Sequence, residues 1–80
     1  MTKMDKRLDR MRGNPRDWRI EDLKSIADWV GLDYRQPGTS HVVFSFPGFD
    51  PLSVPAKKPI KPIYVRLFVK LIDQILEARQ

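Results

Sequence analysis

One hexapeptide limits the folds open to this chain. His41-Val42-Val43-Phe44-Ser45-Phe46 is rich in β-branched and aromatic residues, with Pro37-Gly38 before it and Pro47-Gly48 after it. Such a run, bounded by turn residues, reads as a strand. Alternation puts Val42, Phe44 and Phe46 on one face and His41, Val43 and Ser45 on the other. Two shorter segments can pair with it. Leu32-Asp33-Tyr34-Arg35 alternates apolar and charged residues, and Leu52-Ser53-Val54-Pro55 suits an edge strand that Pro55 ends.

Helical spacing flanks these strands. Ile20, Leu23, Ile26, Ala27 and Val30 recur every three or four residues and predict a helix over about 19–30. Glu21 and Asp22 suit its first turn, and Gly31 its stop. Pro62 suits the first turn of a second helix, where its missing N–H costs nothing. Tyr64, Phe68, Leu71, Ile72 and Ile75, widened by Val65, Val69 and Leu76, carry that helix to about Ala78. Trp18 and Trp29 lie beside the first helix and are expected to pack. The order predicts an α+β fold of two layers, with both helices on one face of a three-stranded antiparallel sheet. Residues 1–13 form a basic N-terminal segment ahead of a domain over 14–80. Met4, Leu8 and Met11 make a short helical stripe there, and Gly13-Asn14-Pro15 punctuates the chain. The spacing leaves an ordered helix, a frayed helix and a basic arm all open.

Eighty residues suffice for one domain with a thin core, since so short a chain buries only about 60% of its unfolded surface. An apolar content of 41% beside 31% charged residues separates it from disordered chains. With no Cys there is neither a disulfide nor a thiolate metal site, and a single His leaves too few ligands for zinc. No metal and no cofactor are therefore expected. No apolar run is long enough to span a membrane and no signal peptide is visible, so a cytoplasmic protein is expected. Charge is uneven: residues 1–19 carry +4, residues 20–50 carry −3 and residues 51–80 carry +4. The net +5 suits a polyanion such as nucleic acid, and equally a plain solvated surface.

Two features bear on chemistry. His41 begins the best strand, on the face opposite Val42 and Phe44. It is either a surface histidine without a task or a general acid or base, because imidazole ordinarily titrates near ~6.5. A Ser-His-Asp triad is disfavoured, because Ser40 and His41 are adjacent and neighbouring side chains in a strand point to opposite faces. The second feature is Lys57-Lys58-Pro59-Ile60-Lys61-Pro62, which leads into a helix. Three lysines at a helix start make a candidate phosphate-binding surface, or a solvated connection. Arg35 and the basic first segment would extend such a patch. Tyr64, Phe68, Phe44 and Phe46 fit core stripes better than a base-stacking platform.

Three segments resemble a known family. Gly38-Thr39-Ser40-His41-Val42-Val43-Phe44 is similar to the Gly-Ser-His segment of HicA, the toxin of HicA–HicB type II toxin–antitoxin pairs. Val54-Pro55-Ala56-Lys57-Lys58-Pro59-Ile60-Lys61-Pro62 resembles the linker into the second HicA helix. Asn14-Pro15-Arg16-Asp17-Trp18-Arg19-Ile20-Glu21-Asp22-Leu23 resembles the start of the first. The likeness covers about residues 14–78, and the order and spacing of the segments carry it. Thr39 departs from the common form and moves Gly38 one position from His41.

The resemblance implies a double-stranded-RNA-binding-domain-like fold and an mRNA interferase, an endoribonuclease whose catalytic residue is His41. It also implies a HicB-type antitoxin partner that covers that histidine. RNA supplies its own nucleophile, so neither a metal nor a protein nucleophile is required. Lys57, Lys58, Lys61, Arg35 and Ser40 are the expected RNA-binding residues. One imidazole cannot easily make both proton transfers at once, so either modest turnover or a second carrier such as Lys57, Lys58, Tyr34 or Ser40 is expected. Two alternatives stand beside the RNase toxin. One is a non-catalytic RNA-binding module of the same fold, and the other is an interaction protein whose basic face docks on an acidic chain.

Overall fold

A computed structural model of the chain describes residues 2–38 and 40–79. Met1, Thr39 and Gln80 lie outside the described residues, so the Thr39 insertion in the turn before His41 is not placed. The elements run α1 (Lys3–Gly13), α2 (Ile20–Val30), β1 (Asp33–Arg35), β2 (His41–Ser45), β3 (Leu52–Pro55) and α3 (Pro62–Ala78). The fold is α+β, with three helices and one antiparallel sheet ordered β1-β2-β3. No helix among the described residues is long and apolar enough to cross a membrane.

The sheet is built on the expected alternation. Val42 and Phe44 are fully buried, while His41 and Ser45 are exposed. Register carries the pattern across the sheet: Val42 faces buried Val54, and Phe44 faces Tyr34 at a ring separation of 5.8 Å. The Phe68 ring of α3 meets Phe44 edge-on at 5.0 Å. α2 packs against β1, and α3 against β3. The opposite face presents Asp33, Arg35, His41, Val43, Ser45, Ser53 and Pro55. Two strands are shorter than the alternation suggests. Leu32 is buried and closes α2 instead, donating its N–H to the Ala27 carbonyl at 2.8 Å beyond a left-handed Gly31 (φ 81°). Phe46 leaves the ladder for a turn in which its carbonyl accepts the Phe49 N–H at 3.1 Å, with Gly48 at φ 89°.

The first thirteen residues hold a third helix, α1. Thr2 and Asp5 form a capping box: the Asp5 N–H donates to Thr2 Oγ1 at 3.2 Å, and the Thr2 N–H donates to Asp5 Oδ2 at 3.0 Å. Leu8 (2% exposed) and Met11 (1%) then enter the same core cluster as the residues of α2 and α3. Of the three states open for residues 1–13, the ordered helix is the observed one. Arg12 bridges Asp9 on its own helix and Asp73 on α3. The turn into α2 is locally braced: Trp18 Nε1 donates to the Asn14 carbonyl at 2.6 Å, and Asp17 sits at φ 63°. At the far end, Arg79 donates to the Val30 carbonyl and places a positive charge at the C-terminus of α2.

Candidate functional site

β2 and the turn before it set His41 at one end of the open sheet face. Its cross-strand partner is Pro55. The Ser40 carbonyl accepts the Ala56 N–H at 2.8 Å, which prolongs the pairing by one step. Ser40 nevertheless precedes β2, so strict alternation does not separate its side chain from that of His41. Ser40 Oγ lies 3.1 Å from His41 Nδ1. This corrects the expectation that the two side chains diverge. If the hydroxyl donates to Nδ1, the ring proton sits on Nε2; if the hydroxyl accepts, Nδ1 carries it. Either way the contact orients an exposed ring. No carboxylate among the described residues hydrogen-bonds or ion-pairs with His41, so no third triad member is in place.

The linker lysines fall into two groups. Ile60 is buried, and its N–H donates to the Trp18 carbonyl at 2.8 Å, so the middle of the linker is anchored. Lys57 and Lys61, with Pro55, Pro59 and Tyr64, line a small cavity of about 140 Å³. Pro55, one wall of this cavity, is the strand partner of His41, although His41 itself does not line it. Lys58 instead lines a separate depression of about 270 Å³ with Asp17, Arg19 and Pro59. Arg35 shares the open face: it is opposite Val43, hence diagonal to His41 across the β1–β2 pair. Diagonal neighbours are about 7–8 Å apart at Cβ, within reach of a long arginine side chain. The structure thus puts His41 and Arg35 on one sheet face with Ser40 beside His41, and places Lys57 and Lys61 on a cavity whose wall includes Pro55, the strand partner of His41, while Lys58 lines a separate depression.

Tyr34 is removed from the set of proton carriers. It lies on the helix-facing side of β1, and its hydroxyl donates to Asp28 Oδ2 at 3.3 Å. That bond to a carboxylate, helped by desolvation and by the Asp28 charge, holds the phenol above its ordinary pKa. Tyr64 is the residue that sequence reasoning missed. It was assigned wholly to the α3 stripe, yet it is half-buried and lines the Lys57–Lys61 cavity. Its place in the first turn of α3, three residues after Lys61, was the available signal. Among the described residues no three His, Asp or Glu side chains converge as metal ligands would. An exposed imidazole hydrogen-bonded to a hydroxyl is a group able to accept or donate a proton. No protein-family model, curated protein or solved structure matches the chain.

Proposed function

We propose that this chain is a metal-independent endoribonuclease of the HicA kind, a cytoplasmic mRNA interferase toxin that uses His41 as general acid and base. The helix–strand–strand–strand–helix order from α2 to α3 supports a double-stranded-RNA-binding-domain-like core, to which α1 is added. The observation that carries the reading is the exposed His41 ring, held by Ser40 Oγ at 3.1 Å on a strand whose partner residue Pro55 also lines the Lys57–Lys61 cavity.

In the proposed reaction His41 takes the proton of an RNA 2′-OH. The 2′-oxygen attacks the adjacent phosphorus, and the bond from phosphorus to the 5′-oxygen breaks. The leaving oxygen takes a proton from the imidazolium, or from a second carrier, for which Lys57 and Ser40 are the candidates. The products are a cyclic phosphodiester and a 5′-hydroxyl. Lys57 and Lys61 offset the charge that grows on the phosphoryl oxygens, and Arg35 holds a flanking phosphate. A HicB-type antitoxin would inhibit by covering the same open face.

The test is cleavage of mixed-sequence RNA in excess EDTA by the wild-type protein and by His41→Ala, with circular dichroism on both. Cleavage by the wild type alone supports the reading. RNA binding without cleavage by either protein favours the non-catalytic RNA-binding module. Equal cleavage by both removes His41 from the chemistry.

A further inference from the structure

The proposed function leaves the polar side of α1 unused, and that side is segregated by charge. Lys3, Lys6, Arg7 and Arg10 follow i, i+3, i+4, i+7 spacing, which places all four on one helix face. Lys3, Lys6 and Arg10 are exposed and Arg7 is half-exposed. The acids of the same helix are engaged elsewhere: Asp5 by Thr2 and Asp9 by Arg12. Among the described residues Lys3, Lys6 and Arg7 make no ion pair.

Other uses of a basic helix fit poorly. A membrane-surface helix or a groove-binding helix offers an apolar face to its partner. On α1 that face is spent, because Leu8 and Met11 are in the core. What remains outward is a row of cations, the pattern that tracks repeated phosphates. A chain of contacts links the end of the row to the linker. The Arg10 guanidinium lies 5.8 Å from the centre of the Trp18 ring. The Trp18 carbonyl holds Ile60, which stands between Lys58 and Lys61. Arg19 and Lys58 share a depression beside that linker, whose first residue, Pro55, is the strand partner of His41.

We propose that the Lys3-Lys6-Arg7-Arg10 face of α1 is a docking surface for the phosphate backbone of single-stranded RNA, holding the strand that flanks the nucleotide at His41. The proposal rests on the RNA reading of the chain, but its test does not require cleavage. Both proteins in the test carry His41→Ala, and one also carries Lys3→Gln, Lys6→Gln, Arg7→Gln and Arg10→Gln. Glutamine keeps helix propensity close to that of Lys and Arg, so α1 is retained, and equal melting curves check this. The affinity of a labelled single-stranded RNA of about twenty nucleotides is measured by anisotropy against salt concentration.

Each lost single-strand phosphate contact lowers the slope of log affinity on log salt by about 0.7, so four lost contacts lower it by about 2–3. That fall is the expected result. Equal slopes would overturn the proposal, leave the RNA reading standing, and assign the stripe to a protein partner or to solubility. Absence of RNA binding by both proteins at low salt would sink the stripe and the RNA reading together. Should the quadruple variant fail to fold, Lys3→Gln and Arg10→Gln singly test the same quantity, each expected to lower the slope by about 0.7.

Discussion

His41 and Ser40 lie exposed at the start of the central strand, and their substitutions should separate activity from stability. His41→Ala removes an exposed ring, so stability should change by no more than about 0.5 kcal/mol. Loss of general acid–base catalysis costs about 10²–10⁴-fold, so RNA cleavage should fall by at least the lower figure, read as initial rate on a fixed RNA. Ser40→Ala frees the ring without removing it. It should lower kcat by less than His41→Ala does, with Ser40→Thr restoring part of the loss. A full loss from Ser40→Ala would make the hydroxyl itself a proton carrier. Tyr34→Phe is the control: it faces Asp28 and the helices, so cleavage should persist and only a weak exposed bond is lost.

Among the elements, α1 changes most between sequence and structure. The helices over residues 20–30 and 62–78 were legible because apolar residues recur every three or four positions and Gly31 and Pro62 mark their ends. The strand at His41 was legible from alternation. For residues 1–13, three apolar side chains among many charges could not decide between a helix and an arm. The Thr2-x-x-Asp5 cap was the overlooked local signal, and contact with α3 depends on tertiary packing that no local pattern encodes. The reach of Ser40 to His41 was hidden for a related reason: strand alternation was applied one residue beyond the strand. Leu8→Ala and Met11→Ala should each cost about 2–5 kcal/mol in urea unfolding, as core truncations do. A free arm would tolerate both. Asp5 supplies a pH test of the same helix. The Thr2 N–H and then the Thr2 hydroxyl hold its carboxyl below the ordinary range. A depressed carboxylate stabilises above its unfolded pKa, and that contribution fades as pH falls through the folded one. The first turn of α1 should therefore fray in acid, seen as a fall in the protection factors of the Asp5 and Lys6 amides, each taken against the intrinsic rate at the same pH, whereas in Thr2→Val those factors should be low at neutral and acid pH alike.

At the scale of the whole molecule, one continuous core, with no buried polar residue among the described residues, joins all three helices to one face of the sheet. Natural domains hold about 0.05–0.15 kcal/mol per residue, so a chain of this size has only about 4–12 kcal/mol in reserve. Two core truncations would exhaust much of that, whereas opening the half-exposed Arg12–Asp73 bridge by Asp73→Asn should cost under about 1 kcal/mol. The sheet order leaves β1 and β3 as its two rims. β1 offers three residues, and β3 ends in a proline that has no N–H to donate. Neither rim is a good template for a strand from another chain. A protein that silences His41 would therefore have to lie across the flat of the sheet with side chains of its own, and its grip would be broken by salt and by bulky substitutions at Val43 or Ser45 rather than by competing extended peptides.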